Sequence, residues 1–313
     1  MLERNLGRSG LRVSVVGIGC NNFGGRIDTR ETGRVIDKAI DLGITFFDTA
    51  DMYSGRGGSE TAMGEVLKGG KRQRIVLATK CGMQMDDAGK LKGASRRYIM
   101  SAVEGSLKRL QTDYIDLYQV HQVDPLTPLE ETLRTLDDLV RAGKVRHLGL
   151  SNHPAWMVVE AQETARRCNL NAFVSCQDEY SLLVRDADRE LMPMMSRYGL
   201  GLLPYFPLAC GLLTGKYSRD NMPAGARLTE TRRWQDKYLN DRNWRVTAEL
   251  ATFAKQRGHT LLDLAFSWLL ARPNISSVIA GATSPEQVEA NVKSASWQLS
   301  AEDLAEVDSI TLG

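Results

Sequence analysis

The chain has 313 residues, of which 42% are hydrophobic and 25% charged, a balance typical of a soluble globular protein. Its 40 basic and 38 acidic residues are well mixed, so the sequence gives no electrostatic reason to expect a nucleic-acid partner. The five cysteines show no C-x-x-C spacing, which argues against a zinc or disulfide framework and favours a reducing compartment. The apolar stretch Leu261–Leu270 is too short to span a bilayer, and the first residues lack the apolar core of a signal peptide. We therefore expect a cytoplasmic protein with no membrane partner.

The predicted elements begin with a short β-hairpin, in which residues 7–10 join strands at 2–6 and 11–15. From Val15 onward, apolar runs alternate with amphipathic helical periods. Eight strands are predicted, at residues 15–19, 45–48, 75–80, 115–121, 145–151, 173–177, 200–205 and 277–280. Eight β-then-α units in about 300 residues favour an α/β fold, a closed (β/α)8 barrel forming one domain over residues 1–313. Pattern alone leaves an open doubly wound sheet with extra helices possible.

Two helices are marked by apolar stripes at helical spacing. The stripes consist of Ile99, Val103, Leu107 and Leu110 in one helix and of Leu129, Leu133, Leu136 and Val140 in the other. The long loop after strand 7, from residue 207 to about 242, interrupts the pattern and is too long for an ordinary βα connection. It is either a surface insertion or a lid over a ligand. We favour the lid, because long βα loops on barrels usually serve function.

Two motifs in the sequence resemble nucleotide-binding fingerprints without matching them. Residues 17–22 begin like a dinucleotide-binding turn, but Asn22 replaces the third glycine and the next helix starts only near Thr29. Residues 211–216 resemble a P-loop that is one residue short, and Tyr217 stands where a magnesium-binding hydroxyl would be. We reject both a Rossmann site and a nucleoside triphosphatase. No metal site is predicted either, because no histidine cluster has ligand spacing.

Four polar residues stand at or just after the carboxyl ends of three successive predicted strands. They are Asp48, Tyr53, Lys80 and His121. Taken singly, each has an ordinary structural interpretation, such as an Asp cap, a packing tyrosine or a structural ion pair. Together they weigh more, because the carboxyl ends of barrel strands form the rim where barrel enzymes carry their active sites.

The chemistry of this group fits a tyrosine that donates a proton. A free phenol has a pKa near ~10, and a nearby ammonium would lower it. Asp48 would hold Lys80 charged and in place, and His121 could donate a hydrogen bond to a substrate oxygen. Protonating an oxygen that becomes an alcohol also requires a hydride at carbon. No side chain supplies one, so a nicotinamide cofactor is the natural source.

Over nearly all its length the chain resembles the aldo-keto reductase superfamily, including bacterial oxidoreductases and potassium-channel beta-subunit-like members. The family's catalytic tetrad maps onto Asp48, Tyr53, Lys80 and His121. Further similar stretches lie at residues 43–50, 58–60, 143–146, 149–152 and 211–216. The resemblance implies a barrel that binds NADP(H) across its rim. It also implies reversible reduction of an aldehyde or ketone, a small carbonyl substrate.

The resemblance also assigns the cofactor contacts. Ser151, Asn152 and Gln177 would hold the carboxamide, and Tyr205 would stack on the nicotinamide ring. The pyrophosphate would lie against Pro207, Leu208, Gly211, Leu213 and Lys216, which accounts for the incomplete P-loop. The adenosine end would contact Gly281, Ser284, Gln287 and Asn291. In this last segment Ser284 is also a predicted helix N-cap, whose helix N-terminus would attract a 2′-phosphate.

The sequence departs from the family pattern at the adenosine end. Many relatives that prefer NADP carry Arg at the position of Gln287, and some carry Lys at that of Gly281, so NAD(H) or dual use is possible. Cys210 near the cradle could sense oxidants. A different role is also open, since barrels of this family serve as non-catalytic NADP(H)-binding accessory or redox-sensing modules with the same tetrad. The sequence does not identify the substrate or the oligomeric state.

Overall fold

A computed structural model describes residues 1–312. Its chain opens with an antiparallel hairpin of β1 (Glu3–Asn5) and β2 (Arg12–Ser14), which confirms the hairpin predicted from the sequence. Leu6 and Val13 of this hairpin are fully buried, and they belong to an apolar cluster with Phe46, Ala78, Leu117, Leu203 and Ile279. The hairpin therefore closes the amino-terminal end of the strands that follow, opposite to the rim.

Eight parallel strands form the main sheet. They are β3 (Val16–Gly19), β4 (Phe46–Asp48), β5 (Val76–Cys81), β6 (Ile115–Val120), β7 (Val145–Ser151), β8 (Phe173–Gln177), β9 (Gly201–Leu202) and β10 (Val278–Gly281). The strand order is β10-β3-β4-β5-β6-β7-β8-β9. Between the two ends of this order, the Leu202 amide donates to Asn274 O at 2.7 Å and the Ser276 amide donates to Leu202 O at 3.1 Å. These bonds join β9 to the approach of β10, and the predicted (β/α)8 barrel is confirmed.

Helices follow the strands and cover the outside of the sheet. They are α1 (Thr29–Asp41), α2 (Tyr53–Val66), α3 (Arg96–Leu110), α4 (Leu129–Arg141), α5 (Ala155–Arg167), α6 (Leu191–Tyr198), α7 (Arg227–Glu230), α8 (Arg232–Tyr238), α9 (Asp241–Gln256), α10 (Leu261–Leu270), α11 (Pro285–Lys293) and α12 (Ala301–Leu312). All four stripe residues of α3 are buried, whereas in α4 only Leu133 and Leu136 of the predicted four are fully buried. Within residues 1–312, no helix has the length and apolarity needed to cross a bilayer.

The predicted strand at 200–205 is confirmed only at Gly201–Leu202. Pro204 has no amide hydrogen, so it cannot continue the ladder, although Tyr205 returns to it as an isolated bridge with Glu179. The segment that follows contains a 3-10 turn, Ala209–Thr214, and the short helices α7 and α8. It is therefore folded along its length rather than a structureless loop.

Candidate functional site

The four polar residues predicted to meet at the rim do lie together. Lys80, completely buried at the end of β5, donates hydrogen bonds from Nζ to Asp48 Oδ2 at 2.6 Å, Thr49 O at 2.8 Å and Tyr53 OH at 3.2 Å. An ammonium has three hydrogens to donate, and here each has an acceptor. Burial disfavours the charged amine, yet Asp48 and Tyr53 raise the pKa of Lys80 above its ordinary value. Lys80 is thus a fixed cation beneath the Tyr53 hydroxyl.

A glutamine that sequence reasoning missed completes the environment of Asp48. Asp48 Oδ1 accepts hydrogen bonds from Gln119 Nε2 at 2.9 Å and from Gln177 Nε2 at 3.0 Å. Both glutamines are buried, and Gln119 faces Lys80 across the β5–β6 ladder. The signal in the sequence was Gln119 itself, a polar residue in the second-last position of a strand in which Asp116 is the only charged residue. With these bonds, both oxygens of Asp48 have partners and its orientation is set.

Tyr53 owes its position to an irregular start of α2. The backbone of residues 54–57 has positive φ, between 54° and 114°, so regular helical turns begin only at Gly58. Glycine at position 57, with φ of +114°, is required because a Cβ there would lie 2.6 Å from Arg109 Cδ. This left-handed turn holds Tyr53 at the rim, edge-on to His121 with ring centroids 5.7 Å apart.

The electrostatics of the two rings differ from the simple expectation that Lys80 lowers the tyrosine pKa. Burial raises the pKa of Tyr53 above its ordinary value, and the Lys80 charge offsets only part of that rise. Burial and the Lys80 charge hold the pKa of His121 well below its usual range. At neutral pH, Tyr53 therefore carries its proton and His121 is uncharged. Both can donate a hydrogen bond to an oxygen placed between them.

The residues assigned to the carboxamide lie beside this group and are linked to it. Asn152 Nδ2 donates to His121 O at 2.9 Å and to Ser151 Oγ at 3.0 Å, and Ser151 Oγ donates to Gln177 O at 2.9 Å. Tyr205 OH donates to Asn152 Oδ1 at 2.8 Å. Asn152 has a left-handed backbone with φ of 58°. All four form one bonded patch next to the rim group.

The segment assigned to the pyrophosphate turns tightly beside Tyr205. Phe206, Ala209, Cys210 and Gly211 all have positive φ, with 98° at Gly211. Lys216 reaches back over this turn, so a Cβ on Gly211 would lie 3.4 Å from its Cε. Burial, together with the charges of Arg26 and Arg227, lowers the pKa of Lys216. Three cations thus face each other, and within residues 1–312 none of the three forms a salt bridge. Such a cluster suits a bound anion.

The residues assigned to the adenosine lie at the end of β10 and the start of α11. Ser284 is the N-cap position of α11, with Pro285 in its first turn, but its side chain makes no capping hydrogen bond to the backbone. Gln287 Oε1 instead accepts hydrogen bonds from the Thr283 amide at 2.9 Å and hydroxyl at 3.2 Å. Asn291 is buried, and its Nδ2 has no partner in the described part of the chain. A buried donor without a partner fits a site that a ligand completes.

Asn22 lies between the cation cluster of Lys216, Arg26 and Arg227 and the end of β10. Its Oδ1 accepts a hydrogen bond from Arg227 Nη2 at 2.8 Å, and its Nδ2 lies 3.3 Å from where a Cβ on Gly281 would stand. The sequence had marked Asn22 only as the residue that breaks a dinucleotide fingerprint. Arg26 and Arg227 were not predicted either, since both lie in segments without regular patterning. Across residues 1–312, no three His, Cys, Asp or Glu side chains are grouped so as to hold a metal ion.

A family model and individual proteins of known sequence each match nearly the whole chain. The model of the aldo/keto reductase family matches residues 15–312. A probable voltage-gated potassium channel subunit beta from Oryza sativa subsp. japonica is 38% identical over 94% of this chain and 90% of its own length. The uncharacterized oxidoreductase YrpG of Bacillus subtilis is 37% identical over 98% of this chain and 95% of its own. The L-glyceraldehyde 3-phosphate reductase of Escherichia coli is 33% identical over 98% and 92%, respectively.

Proposed function

This chain belongs to the aldo/keto reductase family, and we propose that it catalyses the reversible, NAD(P)H-dependent reduction of an aldehyde or ketone to the alcohol. Membership of the family, with relatives named as oxidoreductases, supports an oxidoreductase that acts on carbonyl compounds. The observation that carries the finer proposal is the Tyr53 hydroxyl, protonated, bonded to the buried Lys80 ammonium and beside a neutral His121.

In this proposal Tyr53 is the acid. A carbonyl oxygen bound between Tyr53 OH and the His121 ring would accept a hydrogen bond from each and then the Tyr53 proton. Lys80 stabilises the phenolate that remains, and Asp48 keeps Lys80 charged through the 2.6 Å ion pair. Because the Lys80 ammonium has no spare donor, it does not swing away when the phenolate forms. In the reverse direction the same phenolate accepts the proton of the alcohol.

The residues present fit a nicotinamide cofactor, which when bound supplies the hydride. Ser151, Asn152 and Gln177 would hold the carboxamide, and Tyr205 would cover one face of the ring. Lys216, Arg26 and Arg227 would neutralise the phosphates, and the free Nδ2 of Asn291 would donate to the adenosine end. We propose NADP(H) as the cofactor because the family resemblance implies it; the three cations would meet the pyrophosphate, which NADP(H) and NAD(H) share. NAD(H) or dual use stays open because Gln287 binds Thr283 and brings no charge.

The test is Tyr53→Phe, which removes the acid and keeps the ring. We expect NADPH oxidation with a reactive aldehyde to fall by about 1,000-fold or more, in the range that general acid catalysis contributes. Cofactor affinity, measured by fluorescence titration with NADPH and NADH in parallel, should change little. Tyr198→Phe is the matched control. It also removes a hydroxyl bonded to a neighbouring side chain, that of Glu163, but at the end of α6. Undiminished turnover in Tyr53→Phe would refute the role of Tyr53.

The same measurements address the alternative of a non-catalytic NADP(H)-binding accessory or redox-sensing module. Relatives named as channel beta subunits are compatible with that alternative, but no contact described above favours it. Cofactor binding by the unmodified chain, without turnover on a broad panel of aldehydes, would favour it over reduction. For sensing by Cys210, burial raises the pKa of its thiol to about 11, so the reactive thiolate is scarce at neutral pH.

A further inference from the structure

Behind the rim lies a second group of buried ionisable side chains that the proposed reaction does not use. Its centre is Asp51, which is 1% exposed and lies between the rim and helices α2 and α3. The charged and titratable groups that act on Asp51 come from four elements and are Glu60 of α2, Cys81 of β5, Tyr98 and Arg109 of α3, and Tyr118 of β6. Two acids in this group face a single cation.

Glu60 accepts the short hydrogen bonds of the cluster. Its Oε2 accepts a hydrogen bond from Arg109 Nε at 2.7 Å, and its Oε1 accepts one from Thr79 Oγ1 at 2.6 Å. Asp51 is left with one long bond, from Tyr98 OH to Oδ2 at 3.3 Å, and its Oδ1 has no partner among residues 1–312. Burial and the neighbouring Glu60 charge raise the pKa of Asp51 to about 7, although Arg109 and Tyr98 oppose the rise. Asp51 can therefore exchange a proton at neutral pH.

The Tyr98 hydroxyl gives this exchange a structural consequence. It has one hydrogen and two acceptors in reach, Asp51 Oδ2 at 3.3 Å and the Met83 carbonyl at 3.4 Å. When Asp51 is protonated, it can donate to Tyr98, which is then free to donate to Met83. When Asp51 loses that proton to solvent, Tyr98 must donate to the carboxylate and the bond to Met83, in the loop after β5, is lost.

Asp51 is also built into the turn that delivers Tyr53. The Tyr53 amide donates to Ala50 O at 3.2 Å, which closes a turn over residues 50–53, and the Asp51 amide donates to Lys80 O at 3.1 Å. Arg109, the cation of the cluster, packs its Cδ against Gly57 in the left-handed turn that follows. A shift of the Asp51 side chain would therefore act on the turn before Tyr53, and a response of Arg109 would act on the turn after it.

We propose that Asp51 is a positioning residue for Tyr53. In its protonated form, bonded to Tyr98, Asp51 holds the turn 50–53 in its working geometry. Loss of that proton places a second buried negative charge beside Glu60 and loosens the turn. The inference rests on the proposed function, because it adds a control by pH to the residue proposed as acid. It predicts that carbonyl reduction declines as pH rises through neutrality, below the range in which Tyr53 itself ionises.

Asp51→Asn tests this, because the amide keeps the shape of the protonated acid and cannot ionise. In the unmodified chain we expect kcat/KM for aldehyde reduction to fall several-fold between pH 6 and pH 8. This falling limb of the pH profile should be absent in Asp51→Asn. Asp41→Asn, an exposed Asp at the end of α1, should keep the limb and serves as control. Tyr98→Phe removes a hydrogen bond that lowers the pKa of Asp51 and also removes the partner of the protonated acid, so the limb should become shallower and move to higher pH.

A readout without turnover separates failure of this inference from failure of the proposed function. In the cofactor-free protein labelled with ¹³C-tyrosine, the Tyr53 signal, assigned by its loss in Tyr53→Phe, should shift through neutral pH. The shift should vanish in Asp51→Asn and persist in Asp41→Asn. A Tyr53 signal that does not move between pH 5.5 and 8.5, or that moves equally in Asp51→Asn, would overturn the proposal even if the protein reduces aldehydes.

Discussion

Lys80 shows how one side chain can satisfy burial and chemistry together. It is a fully buried cation whose three hydrogens are all donated, to Asp48, Thr49 and Tyr53. The cost of burying the charge is offset by a paired carboxylate that two glutamines hold in place. The ammonium is therefore held in the one position from which it can stabilise a Tyr53 phenolate.

Replacing Lys80 by Met tests this balance through pH. Reduction needs protonated Tyr53, so the rate falls as pH rises through the Tyr53 pKa. The Lys80 charge lowers that pKa, so in Lys80→Met the alkaline fall should move to higher pH, while kcat drops on the order of 100-fold because the phenolate loses its partner. A pH–rate profile with an aldehyde measures both effects. An alkaline limb at the same or lower pH would contradict the arrangement.

The residue scale is also where the sequence was most informative. The convergence of Asp48, Tyr53, Lys80 and His121 followed from their places at strand ends, because parallel strands share one rim. The direction of the net shift in the Tyr53 pKa did not follow, since it depends on how far burial outweighs the Lys80 charge. Gln119 was missed because a polar residue inside a largely apolar strand does not reveal its partner.

At the scale of elements, the segment between β9 and α9 is the part whose shape the sequence predicted least. Its length and composition indicated a loop of functional size, but α7, α8 and the turn at Ala209–Thr214 depend on contacts distant in sequence. Phe206 packs edge-on against Trp234, with centroids 4.8 Å apart. Glu179, just after β8, binds Lys237 and Tyr238 of α8. These contacts tie α8 to the rim beside Tyr205.

We predict that this attachment controls cofactor release, as expected if the segment acts as the lid. Tyr238→Phe removes the hydroxyl that donates to Glu179 while the Lys237 pair remains. A hydrogen bond to a charged group is worth about 1.5 kcal/mol or more, so NADPH dissociation should become roughly tenfold faster. Stopped-flow fluorescence measures this rate, and Tyr198→Phe, which also loses a bond to a glutamate, is the control. An unchanged dissociation rate would favour the plain surface insertion.

For the whole molecule, the barrel separates the part proposed to do chemistry from the part that maintains the fold. The rim carries the four residues of the proposed tetrad and the three cations Arg26, Lys216 and Arg227, whereas the opposite end is closed by the β1–β2 hairpin. The single-domain interpretation over residues 1–313 stays a prediction. The family match covers residues 15–312 and so leaves out the hairpin. The hairpin was visible in the sequence as two short strands around Gly7–Gly10, but its role in closing the barrel was not, because that role depends on packing against residues of β4, β5, β6 and β10.

The separation of the two ends predicts a destabilising change that leaves ligand binding intact. Leu6 is fully buried in the cluster that closes the barrel, and Leu6→Ala should lower the free energy of unfolding by about 2–4 kcal/mol through lost contacts and a residual cavity. NADPH affinity should stay within a factor of two, because the cavity lies at the end of the strands opposite to the rim. Leu2→Ala is the matched control: Leu2 precedes the same hairpin but is 65% exposed, so its effect should stay within about 0.5 kcal/mol. Chemical denaturation and cofactor titration on the same samples give both quantities. A loss of affinity in Leu6→Ala under conditions where the protein is still folded would mean that the hairpin and the rim are coupled through the barrel.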